Sequence, residues 1–232
     1  MMHDENHYLT LTYSDDHLPH NYSLQLEHFQ LFMKRLRKKF GKNIRYFHCG
    51  EYGDDNQRPH YHAILFNLPI NDKIYHKQLD NGHKLYTSHT LSHLWGLGHV
   101  YIGNVTFDSC AYVARYVTKK INGEKADEHY NGRKPEYCTM SRRPGIGRTF
   151  YDKFKTDIYP HDYCVVNGVR INVPKAYDEY LEREEPETLA KIKAFRKKAQ
   201  AAPNPDKSTR RLRDREVCQQ KRAQLLTRNG DH

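Results

Sequence analysis

The segment "RPHYHAILF" (residues 58–66) sets His60 and His62 two apart, ahead of a continuous apolar run. Alternate side chains share a face of an extended strand, so both imidazoles point one way and Tyr61 points the other. Upstream, "GEYG" (50–53) ends another strand-like stretch, and a tight reversal through "GDDNQRP" returns Glu51 beside the start of the histidine strand. Two neutral imidazoles and a carboxylate form a three-ligand set for a divalent metal with open positions. Such a metal polarises an oxygen of a substrate instead of stapling a fold. The competing arrangement is local: two polar residues at a solvated strand end, with Glu51 paired to Arg58.

A second set lies in "AYVARYVTKK" (111–120). Tyr112 and Tyr116 are four apart and fall on one helix face, and Lys119 follows three residues later with Lys120 beside it. A phenol with a reference pKa of ~10 is a poor nucleophile at neutral pH. Nearby cations, and a metal drawing charge from a target phosphate, make its attack feasible. The alternative role for tyrosines at this spacing is packing in a core.

These residues need a scaffold, and its elements are written in the sequence. "HYLTLTY" (7–13) alternates as a first strand. From Ser23 to Phe40, Phe29, Phe32, Met33, Leu36 and Phe40 recur at three- and four-residue steps, which predicts a helix ending in "KRLRKKF" and stopped by Gly41. "NIRYFHC" (43–49) predicts a strand that forms an antiparallel hairpin with the histidine strand. Residues 71–87 read as an excursion with a turn at Asn81-Gly82. "SHTLSHLWG" predicts a short helix and "HVYIGNVT" (99–106) a strand. "DSCAYVARYVTKKIN" predicts a helix capped by Asp108 or Ser109. The order is that of an α+β protein, an antiparallel sheet backed by helices in the ferredoxin-like manner.

Residues 124–149 read as loop, with a short helix near 149–156. Asn167-Gly168 between Val-rich arms is a hairpin signal. From Lys175 the chain is charged and helical, interrupted by "AAPNP" (201–205), beyond which partial disorder is expected until a partner binds. The expected division is a first domain over 1–175 and a basic helical tail over 176–232.

The 232 residues carry a formal net charge of +10. From Leu189 onward Lys and Arg number 13 against 4 Asp and Glu, so nearly all of the excess lies in the tail. An anionic partner, most simply nucleic acid, accounts for it, and so does a merely solvated tail. No apolar run reaches the ~20 residues that cross a bilayer, and "MMHDENHYLT" carries no signal-peptide core. Five dispersed cysteines without CxxC spacing suit a reducing compartment and exclude a zinc ribbon.

The ordered set of a Thr-rich first strand, G-E-x-G, H-x-H and Y-x-x-x-Y-x-x-K resembles the HUH endonuclease superfamily, the rolling-circle replication initiators. "HYLTLTYSDDHLP", "GEYGDDNQRPHYHAILF" and "AYVARYVTKK" look like its first, metal-binding and two-tyrosine motifs. "YFHCGEYG", "MSRRPGIGR" and "DIYP" are closest to the initiators of small single-stranded DNA phages, the gokushovirus branch of the microviruses. The resemblance covers residues 7–175. It implies that Glu51, His60 and His62 hold Mg²⁺ or Mn²⁺. Tyr116 would be the nucleophile, Tyr112 the second tyrosine for strand transfer, and Lys119 the cation at the phosphate.

The implied substrate is single-stranded DNA at a replication origin, in the cytoplasm of a bacterial host and without a membrane. Arg115, Lys120, Arg142 and Arg143 are candidate nucleic-acid contacts. With no P-loop motif in the sequence, unwinding falls to a host helicase and synthesis to a host DNA polymerase. A plasmid initiator or relaxase, a non-catalytic nucleic-acid-binding module and a zinc hydrolase are the rival readings.

Overall fold

The structure is a computed structural model, which describes residues 2–53, 56–80, 82–115, 120–121, 123–201 and 208–225. Contacts divide the chain into two compact units, the first up to Ile146 and the second from Gly147.

The first unit is built on a seven-stranded antiparallel sheet. Its strands are β1 (Asn6–Thr12), β2 (Arg45–Tyr52), β3 (Pro59–Phe66), β4 (Lys73–Gln78), β5 (Lys84–Ser88), β6 (Val100–Asn104) and β7 (Tyr137–Met140), in the order β4-β5-β6-β1-β3-β2-β7. With the helices α1 (Leu26–Phe40) and α2 (His89–Trp95), the inner four strands β6-β1-β3-β2 make the β-α-β-β-α-β unit of ferredoxin-like folds.

Alternation along the strands decides what each sheet face carries. Leu9, Leu11, Tyr61, Ala63 and Leu65 form one core with Phe29, Phe32, Met33 and Leu36 of α1 and Leu91, Leu94 and Trp95 of α2. Each large apolar side chain fully buried there contributes roughly 1.5–3 kcal/mol. Helix α1 ends at Gly41, whose φ of +100° an L side chain adopts only with strain. Helix α2 is capped by Ser88, whose hydroxyl accepts from the Leu91 amide at 3.1 Å.

Gly98 lets β6 close onto β1. A Cβ there would lie 2.4 Å from the Thr12 carbonyl oxygen and the Ser14 nitrogen. Only a glycine permits the paired bonds between Thr12 and His99, at 3.0 and 3.1 Å.

The opposite face carries a smaller cluster of Cys49, Ile64 and Val113, with Tyr8, Phe47, Phe66, Cys110, Tyr112 and Cys138 around it. Val113 and Tyr112 come from α3 (Phe107–Arg115). The start of α3 differs from the expected Asp108 or Ser109 cap. Thr106 Oγ1 accepts from the Ser109 amide and Ser109 Oγ accepts from the Thr106 amide, at 3.1 and 2.8 Å, a reciprocal capping box. The expected continuation of this helix through 116–119 and 122 lies outside the described residues. Within the stretches read as excursion or loop, the structure places β4, β5, β7 and the short helix α4 (Lys125–Tyr130).

The second unit contains α5 (Arg148–Ile158), a hairpin of β8 (Cys164–Val166) and β9 (Val169–Ile171), and the helices α6 (Lys175–Glu184), α7 (Pro186–Ala201) and α8 (Thr209–Leu225). Asn167 and Gly168 both take positive φ, as the hairpin signal requires. Tyr151, Ile158, Tyr159, Tyr177, Leu181, Leu189 and Ile192 form its own core. The helical C-terminal region is therefore present. The contacts divide earlier than position 175, because Tyr151 and Ile158 of α5 share this core with α6 and α7. The "AAPNP" break falls largely on residues outside those described. Among the described residues no helix is long and apolar enough to cross a membrane.

Candidate metal centre

Strand β2 runs past the apolar stretch that predicts it, and this extension carries Glu51 into the ladder opposite His60. Cys49 then stands opposite His62, and Thr10 and Thr12 of β1 flank His62 and His60 on the other side. The cluster is thus fixed by the register of three central strands.

Glu51 Oε1 lies 2.7 Å from His60 Nε2 and 3.1 Å from His62 Nε2. The ligand atoms of the three residues all lie within 4.8 Å of one another. Glu51 and His62 are buried, at 0% and 2% exposure, while His60 keeps 13% of its side chain open to solvent. The centre is walled on the sheet side and accessible past His60. Burial alone would push the Glu51 carboxyl up, but the hydrogen bonds and positive potential of His60 and His62 hold it well below the usual carboxylate range.

The outer nitrogens of both rings are held. His62 Nδ1 lies 2.6 Å from the Tyr8 hydroxyl and 3.1 Å from Thr10 Oγ1. His60 Nδ1 lies 3.2 Å from the Arg58 carbonyl oxygen. Both nitrogens of His60 therefore face acceptors, and a cation among the two Nε2 atoms and Oε1 would relieve that conflict by taking the place of a proton. Nδ1 atoms tied off this way aim the Nε2 lone pairs inward. An ionised carboxylate with two oriented imidazoles is a donor set that fits a divalent cation.

Arg58 does not take Glu51 away from this cluster. Its guanidinium donates to Asp15 at 2.7 Å and to the Tyr13 carbonyl at 3.1 Å. Helix α3 brings Tyr112 onto the site, with its ring edge-on to His62 at a centroid distance of 5.7 Å. Tyr116 and Lys119 lie outside the described residues. Arg115, the last residue of α3, and Lys120 are exposed. Arg142 and Arg143 are exposed beyond β7, where the Arg143 and Pro144 carbonyls accept from Arg45. Arg45 and Glu51 are six residues apart on β2, so this pair sits at the far end of the strand, ~20 Å from the cluster.

The holding residues Tyr8 and Thr10 were not singled out by sequence reasoning. Their signal is the alternation of the first strand, which puts Tyr8, Thr10 and Thr12 on one face.

A model of the replication-associated protein ORF2 family matches residues 6–121, a span that contains the whole cluster and α3. Replication-associated protein VP4 of Bdellovibrio phage phiMH2K is 36% identical over 196 residues, 80% of this chain and 61% of that protein. Replication-associated protein ORF2 of Spiroplasma virus 4 is 39% identical over 193 residues, 77% of this chain and 58% of its own. Replication-associated protein ORF4 of Chlamydia phage 1 is 32% identical over 190 residues, 78% and 47% of the two chains. The chain thus spans less than two thirds of the length of these relatives. No solved structure matches it. On the extent of these matches, the chain belongs to the replication-associated protein ORF2 family.

Proposed function

We propose that the first unit nicks single-stranded or unwound origin DNA by tyrosine transesterification, and so starts rolling-circle replication of a phage genome. The observation that carries this reading is the convergence of Glu51, His60 and His62 on one point beside the Tyr112 ring. A divalent cation bound there, Mg²⁺ or Mn²⁺, supplies Lewis-acid polarisation of a non-bridging oxygen of the scissile phosphate.

The chain's own residues do the rest. Tyr116 attacks through its phenolic oxygen. An O–P bond to the tyrosine forms, the P–O3′ bond breaks, and the phenolic proton ends on the leaving O3′. The products are a 5′-phosphotyrosine link and a free 3′-OH. Lys119 places positive charge where the phosphate gains negative charge. Tyr112 serves as the second nucleophile, cutting the regenerated origin so that the first end can be rejoined into a circle. Arg115, Lys120, Arg142 and Arg143 contact phosphates, which adds affinity without reading sequence. The 3′-OH serves a host DNA polymerase as primer, and a host helicase opens the duplex, both in the bacterial cytoplasm.

The test is covalent. Wild type, Tyr116→Phe and Tyr112→Phe are incubated with circular single-stranded phage DNA and Mn²⁺, then run on denaturing gels. A metal-dependent protein–DNA adduct that disappears in one or both variants is expected, and its pattern names the first nucleophile. Absence of any adduct from wild type on cognate origin DNA, with metal shown to be bound, would falsify the nickase and leave a binding module or a hydrolase.

A further inference from the structure

The sheet continues past the metal centre as the β6-β5-β4 wing, and its face on the His62 side carries rings that the chemistry above does not use. Tyr101 on β6 is half-buried, while His99 and His76 are exposed. The Tyr101 ring lies between the other two, 5.2 Å from His76 and 6.4 Å from His99, the latter pair stacked at 27°. A β-bulge between Tyr75 and Lys77 breaks the alternation of β4 at this point. It sets two residues, His76 and Lys77, against Leu85, so a ring and an exposed cation share one side.

The register ties this wing to the centre. Thr10 stands between Tyr101 and His62, and Thr12 between His99 and His60. Only two small hydroxyl side chains separate the rings from the metal ligands. Two strand spacings make ~10 Å, the length of about three stacked nucleotides. Open rings on a flat sheet with a neighbouring cation form a surface suited to stacking unpaired bases.

We propose that His76, Tyr101 and His99 form a base-stacking platform for single-stranded DNA, holding the nucleotides next to the phosphate that reaches Glu51, His60 and His62. This deepens the nickase reading and rests on it for the identity of the strand, but its test is independent of cleavage. Binding of a short fluorescent single-stranded oligonucleotide is measured by anisotropy in EDTA over a range of salt. Wild type is compared with His76→Ala/His99→Ala, Tyr101→Leu and Tyr101→Phe.

The double variant and Tyr101→Leu should each lose affinity by about tenfold or more, as stacking losses do. Tyr101→Phe should keep wild-type affinity, because it keeps the ring. The slope of log K against log salt should stay unchanged, since no phosphate contact is removed. Unchanged affinity in the double variant overturns the platform, and so does a slope reduced by ~0.7 per residue, which would mean phosphate contacts. Wild type that binds no oligonucleotide overturns it as well.

Adduct formation with Mn²⁺, assayed in parallel, separates the two ideas. An adduct with unaltered binding in the variants removes the platform and keeps the nickase. Lost binding in the variants with no wild-type adduct does the reverse.

Discussion

The two faces of the β2–β3 hairpin both bury histidine, with opposite results. On the helix-covered face, His48 is stacked against Phe29 at 3.4 Å with rings 6° from parallel. Its Nδ1 reaches Thr139 Oγ1 at 3.0 Å, and its Nε2 meets no hydrogen-bond partner among the described residues. Burial holds that imidazole well below its ordinary pKa, so it packs as a neutral flat ring. On the next strand, His62 is almost as buried, yet its nitrogens face Glu51, Tyr8 and Thr10. Burial does not make a histidine functional. The company of its two nitrogens does.

The sharpest break between the faces comes from emptying one at a time. Phe29→Ala should lower unfolding stability by about 3–5 kcal/mol, read by urea denaturation. The protein that remains folded should bind Mn²⁺ as wild type does. His62→Ala should do the converse. Mn²⁺ affinity by calorimetry should fall by more than ~100-fold, beyond what loss of an outer-sphere partner costs, with little change in the urea midpoint. A His62→Ala protein that melts like Phe29→Ala would show that the cluster is structural.

Acid should act first through the helix-covered face. His7 on β1 is held down to about 4 by burial and by the nearby Lys73 charge, against a backbone hydrogen bond at Leu68 that raises it. A histidine depressed in the folded state gives stability that is complete above its unfolded value of ~6.5 and is lost as pH falls toward the folded value. We expect metal-free protein to lose about 2 kcal/mol between pH 7 and pH 4.5 from this residue, and His7→Gln to flatten that slope.

Two hydroxyl deletions give smaller effects of opposite kind. Tyr8→Phe removes the 2.6 Å contact to His62 Nδ1 while Thr10 stays, so Mn²⁺ affinity should drop by about tenfold, the low end for such partners. Tyr137→Phe removes a buried hydroxyl with no partner among the described residues and should raise stability by about 1 kcal/mol. Unaltered metal affinity in Tyr8→Phe would leave Thr10 as the group that orients the ring.

What could be read from the sequence follows from where burial leaves a pattern. Helix α1, with Phe29, Phe32, Met33 and Leu36 on one stripe, is legible because one face meets the core. The shared face of Glu51, His60 and His62 is legible because strand alternation is strict once the hairpin is placed. Strand β4 is not, since all six residues of "KIYHKQ" are exposed and backbone pairing with β5 holds it. Strand β7 is four residues long and is recruited to the sheet edge by β2, a long-range event with no local signal. The same limit hid the position of Arg142 and Arg143, which depends on where β7 docks. Thr106 was passed over as a cap because its partner Ser109 is not the Glu or Gln of the usual box.

The pairing of Glu51 with His60 also bears on how such a gene can change length. Gly53 and Arg58 close the reversal with a 3.0 Å backbone bond outside the ligand rows. Codons gained or lost between them alter a loop and leave each ligand opposite its partner. One codon deleted between Glu51 and Gly53, or between Arg58 and His62, shifts the ladder by a residue. The histidines would then turn into the core and Tyr61 out to the solvent side. Insertional scanning of this hairpin should therefore yield a sharp map, tolerant between Gly53 and Arg58 and lethal on either side.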